Sequence, residues 1–144
     1  MGMDPNQHQD QRDIDDNPAI LVVDDDEDSR RILMYGLGSA GYRVLVANNG
    51  AAAVELCQVV LPSLVIMDLA MPEMDGYEAT RALKADERTR DVPVIAWSAR
   101  IIAGDSAELL TVGFDEVLPK PALPADVIEA VRRYVPAGRA PRGD

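Results

Sequence analysis

The chain has 144 residues, of which 47% are hydrophobic, and its formal net charge is −11 at pH 7. This length and apolar content predict one compact domain with a full core and leave little room for a second. An acidic chain without a basic stripe argues against direct nucleic-acid binding. The single cysteine, Cys57, excludes an intrachain disulfide, and its apolar neighbours indicate a small core residue rather than a nucleophile.

Both ends of the chain are polar. Residues 1–18 lack apolar periodicity and include the only histidine, His8, so we expect a disordered tail and no functional histidine. Residues 136–144 are rich in Pro, Gly and Arg and predict a flexible C-terminal tail, which leaves residues 19–135 as the folded domain. No apolar run is long enough for a membrane span, and the start lacks a signal-peptide pattern, so we expect a cytoplasmic protein without membrane insertion.

The first third of the chain predicts two strands and two helices. The apolar run at 19–23 forms the first strand and breaks into five consecutive acids. The helix that follows should end near Gly41, and a second strand should occupy residues 43–47. Asn49 then provides a cap for an alanine-rich helix that runs to about Val60. Four apolar residues share one face of the first helix: Ile32, Leu33, Leu37 and Ala40.

The third predicted strand, Leu64 to Asp68, contains four apolar residues without alternation and ends on a carboxylate. Such a run is typical of a strand that is buried on both faces in a parallel sheet. Beyond the loop that follows, Asp75 and Glu78 form a capping box. This pattern predicts the start of a helix that extends to about Ala85.

The last third of the chain continues the alternation. A charged loop leads to a fourth strand at 92–97, which Ser98 closes. The remaining predicted elements are a helix from Asp105 to near Gly113, a strand at 115–118 and a helix from Pro124 to Val135. Five strands that alternate with five helices predict an α/β fold with a parallel sheet.

Chemically reactive residues follow several of these strands. The first strand ends on Asp24 and Asp25, the third on Asp68 and the fourth on Ser98, and Lys120 follows the fifth. Each has an ordinary structural explanation, as a solvated acid at a helix N-terminus, a turn hydroxyl or a surface lysine. Parallel strands bring their carboxyl ends to one edge, however, so all of these groups are expected to lie close together.

Such a cluster needs a positive partner. Two carboxylates about 4 Å apart repel by roughly 4 kcal/mol at an effective dielectric of 20, so they must share a proton or recruit a cation. Oxygen ligands without histidine or cysteine favour Mg²⁺ over Zn²⁺. A carboxylate beside Mg²⁺, an ammonium and a hydroxyl is suited to becoming an aspartyl phosphate.

These motifs resemble the receiver domain of bacterial two-component response regulators, over about residues 19–134. The segments that carry the resemblance are Val22-Val23-Asp24-Asp25, Met67-Asp68, Met71-Pro72-Glu73-Met74-Asp75-Gly76, Ser98-Ala99 and Lys120-Pro121. The resemblance implies a flavodoxin-like (βα)5 fold, with helices on both faces of a five-stranded sheet of order 2-1-3-4-5. Since few residues follow the last helix, we expect the stand-alone, single-domain type.

The resemblance implies a phosphoacceptor and a metal site. Asp68 would accept a phosphoryl group from a phosphohistidine on a sensor histidine kinase or a histidine phosphotransfer protein. Asp25 and Asp68 would ligate Mg²⁺ directly, together with the carbonyl of Ala70, and Asp24 would act mostly through water. Lys120 would pair with Asp68 and then with the phosphoryl group.

The resemblance also implies the switch residues. Ser98, followed by Ala99, would move to hydrogen-bond the phosphoryl group, and a cis bond before Pro121 would orient the lysine. The family's aromatic switch position holds Val117 here, so an aromatic readout is not expected. Two positions set the phosphoryl lifetime, Ala70 and Arg100, and alanine predicts slow self-dephosphorylation because it cannot hold an attacking water. Trp97, next to the switch serine, should report the site by its fluorescence.

The leading interpretation is a phosphorelay switch that catalyses its own phosphorylation and slow dephosphorylation. It would act on a downstream effector protein through the face formed by the fourth helix, fifth strand and fifth helix, and homodimerisation is left open. One alternative is a Mg²⁺-dependent phosphohydrolase that works through an aspartyl phosphate, although that chemistry usually uses a second acid where this chain has Ala70. Another is a receiver-like scaffold that is never phosphorylated, against which the intact acidic, serine and lysine residues argue.

Overall fold

The computed structural model describes residues 17–69, 71, 74–99 and 105–136. Within these ranges the chain alternates between five strands and five helices. The strands are β1 Ala19–Val23, β2 Arg43–Ala47, β3 Leu64–Asp68, β4 Val94–Ser98 and β5 Glu116–Pro119. The helices are α1 Glu27–Ser39, α2 Gly50–Val59, α3 Gly76–Ala85, α4 Asp105–Val112 and α5 Pro124–Tyr134.

The sheet is parallel throughout, with strand order β2-β1-β3-β4-β5, which confirms the predicted flavodoxin-like fold. Chain order reverses at β1, since β2 pairs on one side of it and β3 on the other. Ligands in open α/β sheets bind beyond the carboxyl ends of the strands at such a point. The edge that follows Val23 and Asp68 is therefore where a site is expected.

The sheet is buried on both faces, which explains the strands without alternation. Residues of β1, β3 and β4 point in turn into two apolar layers. Leu21 and Val65 belong to the layer beneath α2, α3 and α4, whereas Ile20 and Ile66 belong to the layer beneath α1 and α5. Each such side chain contributes about 1.5–3 kcal/mol by burial, so these layers fix the relative positions of the strand ends.

Two predicted helix caps are confirmed. Asn49 accepts a hydrogen bond from the backbone N–H of Ala52 (2.8 Å), and Asp75 accepts one from that of Glu78 (2.9 Å). Both caps satisfy an N–H group at the first turn of a helix that starts beside the carboxyl edge of the sheet. They hold α2 and α3 next to the strand ends.

Two details differ from the sequence prediction. Ile32 was expected on the buried face of α1, but 55% of it is exposed, because it lies about 100° around the helix from the buried Leu33. The fourth strand begins at Val94 rather than at Val92, whose N–H donates to the carbonyl of Thr89 in the preceding turn (3.0 Å). In the described part of the chain, no helix has both the length and the apolar character needed to cross a membrane.

Candidate functional site

Three carboxylates meet at the carboxyl edge of the sheet. Asp24 and Asp25 follow β1, and Asp68 is the last residue of β3, the neighbouring strand. One carboxylate oxygen from each lies within 4.8 Å of the other two. Asp24 and Asp68 are buried and Asp25 is exposed, so the cluster opens to solvent on one side.

Asp24 is held by contacts to both its backbone and its side chain. Its N–H donates to the carbonyl of Ala47 at the end of β2 (3.1 Å), and its Oδ1 accepts from the N–H of Asp26 (2.9 Å). Arg30, in the first turn of α1, donates through Nη1 to the Asp24 carbonyl (2.7 Å). The two backbone bonds hold the Asp24 main chain in place, and the bond from the Asp26 N–H orients its carboxylate.

Lys120 brings a positive charge into the cluster. Its Nζ lies 2.7 Å from Oδ2 of Asp24 and 3.8 Å from Oδ2 of Asp68. The sequence resemblance implied a pair with Asp68, but the shorter contact is with Asp24. The backbone N–H of Lys120 donates to the carbonyl of Ser98 (3.0 Å), and the Lys120–Pro121 bond is cis.

The charges of the cluster do not balance. Three carboxylates and one ammonium give a formal charge of −3 + 1 = −2. At these separations each carboxylate pair repels by roughly 3–4 kcal/mol at an effective dielectric of 20. The donor atoms are all carboxylate oxygens, the ligand type that Mg²⁺ prefers, so the residues present fit a hard divalent cation.

The other acids of the loop have ordinary structural roles. The Ser29 hydroxyl donates to Oδ2 of Asp26 (2.7 Å), and this bond holds the pKa of the Asp26 carboxyl below its usual value. Glu27 forms an exposed ion pair with Arg31, and Asp28 lies in the first turn of α1, where the helix dipole favours a negative charge. Only the first two acids of the run join Asp68.

The predicted switch residues surround the cluster unevenly. Ser98 is buried at the end of β4, opposite Pro119 in the register of β5. Ala99 is exposed and lines a cavity of about 410 Å³ beside Lys120. Val117 packs against the core layer beneath α4, on β5. Ala70 and Arg100 lie outside the described residues, so the predicted metal-ligand and lifetime roles of these two stay predictions.

Sequence reasoning missed three contributions to the site. It gave Arg30 no role, although an arginine four residues into a helix can turn back to the loop before it. It placed Trp97 near the site but did not predict its contact with Lys120, whose Nζ lies 4.5 Å from the centroid of the Trp97 ring. It placed Gly76 at the start of a helix but did not predict its close contact with the strand end, where a Cβ would lie 2.2 Å from the carbonyl oxygen of Asp68. Only glycine therefore lets α3 start this close to the acidic cluster.

The fold and the site together define a flavodoxin-like α/β protein. Its topological switch point holds a lysine and an acidic cluster suited to binding a cation. Comparison with known proteins specifies the class further. Residues 20–132 match the family described as the response regulator receiver domain. The chain belongs to this family, whose domains bind Mg²⁺ at an acidic pocket and interact with histidine kinases or phosphotransfer proteins.

Individual relatives agree with this assignment. The chain is 30% identical over 117 residues to the polar-differentiation response regulator DivK of Brucella anthropi, covering 81% of this chain and 95% of that one. It is similar in structure to the Vibrio cholerae chemotaxis protein CheY4 (TM-score 0.78, 26% identity, 83% and 99% of the two chains). It is also similar to the receiver domain of a Pseudomonas aeruginosa sensor histidine kinase with a magnesium ion in its active-site cleft (TM-score 0.76, 33% identity, 82% and 97%).

Proposed function

We propose that this receiver domain is a phosphorylation switch whose acceptor is Asp68. The observation that supports the proposal best is the convergence of three carboxylates and Lys120 from three separate segments of the chain. Asp68 is the member that ends the central strand β3 and lies within reach of the lysine. Asp68 as a whole is only 5% exposed. This burial restricts the approach of water to the reacting oxygen.

The proposed step is a single displacement at phosphorus. A carboxylate oxygen of Asp68 bonds to the phosphorus atom of a phosphohistidine while the phosphorus–nitrogen bond breaks. The imidazole nitrogen keeps the electron pair of that bond, and because the other ring nitrogen of the donor carries a proton, the ring leaves as neutral imidazole. Asp68 attacks as the carboxylate, and the Nζ atom of Lys120 lies 3.8 Å from its Oδ2.

The remaining residues of the site would stabilise charge. Asp24, Asp25 and Asp68, with the carbonyl of Ala70, would hold Mg²⁺, which when bound neutralises charge on the transferring phosphoryl oxygens. Lys120 would exchange its contact with Asp68 for one with the phosphoryl group while it keeps Asp24. Arg30 holds the Asp24 backbone in place during that exchange.

The switch itself would use Ser98 rather than an aromatic residue. Ser98 ends β4 at the same edge as Asp68, and its hydroxyl would donate to a phosphoryl oxygen. Val117 has no polar or aromatic group with which to report that movement. We therefore place the readout in the backbone that follows Ser98, towards α4, with Arg100 and Ala70 setting the lifetime of the phosphoryl group.

The partners follow from this chemistry. A sensor histidine kinase or a histidine phosphotransfer protein would supply the phosphoryl group, and a downstream effector protein would bind the face formed by α4, β5 and α5 once Asp68 is phosphorylated. Such a donor is charged from ATP, so we place the domain, residues 19–135, in the cytoplasm. Homodimerisation is an alternative way of using the switch.

Incubation with radiolabelled acetyl phosphate and Mg²⁺ tests the proposal. We expect one phosphoryl group per chain, stable enough to isolate, and none in the Asp68→Asn variant. Asp91→Asn, which removes an exposed acid far from the cluster, is the matched control and should label normally. Many turnovers of phosphate per chain would instead indicate a phosphohydrolase, and an unlabelled protein would indicate a scaffold; either result overturns the proposal.

A further inference from the structure

The Lys120 ammonium lies between two carboxylates and an aromatic ring. Its Nζ is 2.7 Å from Asp24, 3.8 Å from Asp68 and 4.5 Å from the centroid of the Trp97 ring. We propose that Trp97 is a positioning residue, whose π face holds the Lys120 ammonium beside the accepting oxygen of Asp68. This inference rests on the proposed function and adds to it a residue that acts through the lysine.

Packing keeps the Trp97 ring in place. The residue is 6% exposed and belongs to the core layer beneath α1 and α5. Its backbone pairs with Asp68 on one side and with Leu118 on the other, so two neighbouring strands set its position. The lysine side chain above the ring is only 19% exposed. A cation–π contact is stronger when it is partly desolvated, as here.

The lysine needs such a third contact because carboxylates alone would not define its position. Its side chain is flexible, and Asp24 is closer to the ammonium than Asp68 by 3.8 − 2.7 = 1.1 Å. Asp24 alone would draw the charge away from the reacting oxygen. The ring attracts the ammonium from a different direction and leaves N–H donors for Asp24 and for a phosphoryl oxygen. The three attractions together fix one position.

The strength of the ring's attraction can be varied without changing its shape. The chain has one tryptophan, so biosynthetic incorporation of mono-, di- and trifluorinated tryptophan alters this position alone. Each fluorine withdraws electron density from the π face at little steric cost. We expect the rate constant of phosphorylation by acetyl phosphate to fall stepwise along the series, by about three- to thirtyfold in total. A rate constant that does not change along the series would overturn the proposal.

A second measurement reads the contact itself. The chain has two lysines, Lys84 and Lys120, so a protein labelled with ¹³C-lysine gives two sets of side-chain signals. The ring current of Trp97 should shift the ε-methylene signal of Lys120 upfield, and Lys84→Arg identifies that signal by removing the other one. Fluorination should reduce the shift progressively, and Lys84 serves as an internal reference in the natural chain. The absence of an upfield signal would contradict the proposed position of the ammonium.

The two experiments separate this inference from the proposed function. An unlabelled natural protein after incubation with acetyl phosphate would contradict the phosphoryl-acceptor function, whatever the lysine signal shows. A normal phosphorylation rate in every fluorinated protein would contradict only the role of Trp97. Trp97→Phe, which keeps a weaker π face, should retain more activity than Trp97→Leu, which fills similar space without one. Equal rates in these two variants would count against positioning by the ring.

Discussion

Asp25 is the exposed member of the acidic cluster, and its charge is held near two others by the fold, since no ion pair joins it to another of the described residues. Replacement by asparagine removes part of this repulsion. We therefore expect Asp25→Asn to raise the midpoint of thermal unfolding by a few degrees in the absence of divalent ions. We also expect it to abolish the stabilisation that Mg²⁺ gives the natural protein, because a ligand that binds only the folded state stabilises it by mass action. Calorimetry with EDTA and with Mg²⁺ measures both effects.

Asp28→Asn is the matched control for this prediction. It removes the same charge from the same run of acids, but Asp28 is not part of the cluster and lies in the first turn of α1, where a negative charge is favourable. It should slightly lower the unfolding midpoint and leave the response to Mg²⁺ intact. Equal effects of the two substitutions would show that the cluster does not bind the ion.

The buried thiol of Cys57 should make the stability of the fold depend on pH. Burial raises the pKa of its thiol from 9.0 to about 11, because the thiolate is poorly solvated in the core. The unfolded chain loses this proton at lower pH than the folded one, so the contribution is complete below pH 9 and is lost as the pH rises towards 11. We expect the free energy of unfolding to fall by about 1–3 kcal/mol from this group over that interval. Urea unfolding of the natural protein and of Cys57→Ala should show a steeper decline for the former; parallel curves would refute the assignment.

At the scale of single residues, the sequence was sufficient to predict a member of the site where the residue's position along a strand decides its role. Asp24, Asp25 and Asp68 could be predicted because each directly follows or ends a buried strand. The preference of Lys120 for Asp24 could not, since it depends on side-chain distances that differ by about an ångström. Ile32 was misplaced because a hydrophobic residue can satisfy an apolar pattern and still lie beside the buried face.

The start of α3 depends on Gly76, which lies against the residue that carries the proposed reaction. A Cβ at this position would lie 2.2 Å from the Asp68 carbonyl oxygen, so Gly76→Ala must displace either the helix or the end of β3. We expect a loss of about 1–3 kcal/mol in the free energy of unfolding, measured by urea titration, together with slower phosphorylation of Asp68. Gly38→Ala, in α1, is the control: its Cβ would meet nothing within 4 Å and should stabilise the helix by about 0.5–1 kcal/mol. A neutral Gly76→Ala would show that the contact can relax freely.

The end of β4 provides a built-in reporter. Trp97 is opposite Asp68 in the register of β3, and Lys120 lies over its ring. Binding of Mg²⁺ or of beryllofluoride at the acidic cluster should move the charges near the indole and change its fluorescence, measured as a saturable titration. The Asp68→Asn variant should lose the response to beryllofluoride. Unchanged emission in the natural protein would place the cation or the phosphoryl analogue away from this strand.

The presence of a helix or strand was predictable where local sequence signals agree. The first and last residues of these elements were harder to predict. The caps of α2 and α3 are encoded by Asn49 and Asp75, each of which accepts the bond that its position predicts. The start of β4 was placed two residues early because Val92 is apolar and β-branched. Its N–H is used by a turn instead, and a choice between two backbone partners cannot be deduced from composition.

For the whole molecule, alternation of strands and helices was enough to predict a parallel sheet, because a parallel connection requires a crossover. The pattern did not determine which strands are neighbours. Strand order came from the resemblance carried by the acidic, serine and lysine motifs, and the observed order agrees with it. Order matters for function here: it makes β1 and β3 adjacent, and so brings Asp24 to Asp68.

Chemical trapping of the phosphorylated residue tests most directly whether the fold gathers these groups around Asp68. The protein is phosphorylated with acetyl phosphate and Mg²⁺ and reduced with borohydride, which converts an aspartyl phosphate to homoserine, and its peptides are sequenced by mass spectrometry. We predict homoserine at position 68 alone, and none when Mg²⁺ is replaced by EDTA. Homoserine at position 24 or 25, or phosphorylation that proceeds equally without the metal, would contradict the account.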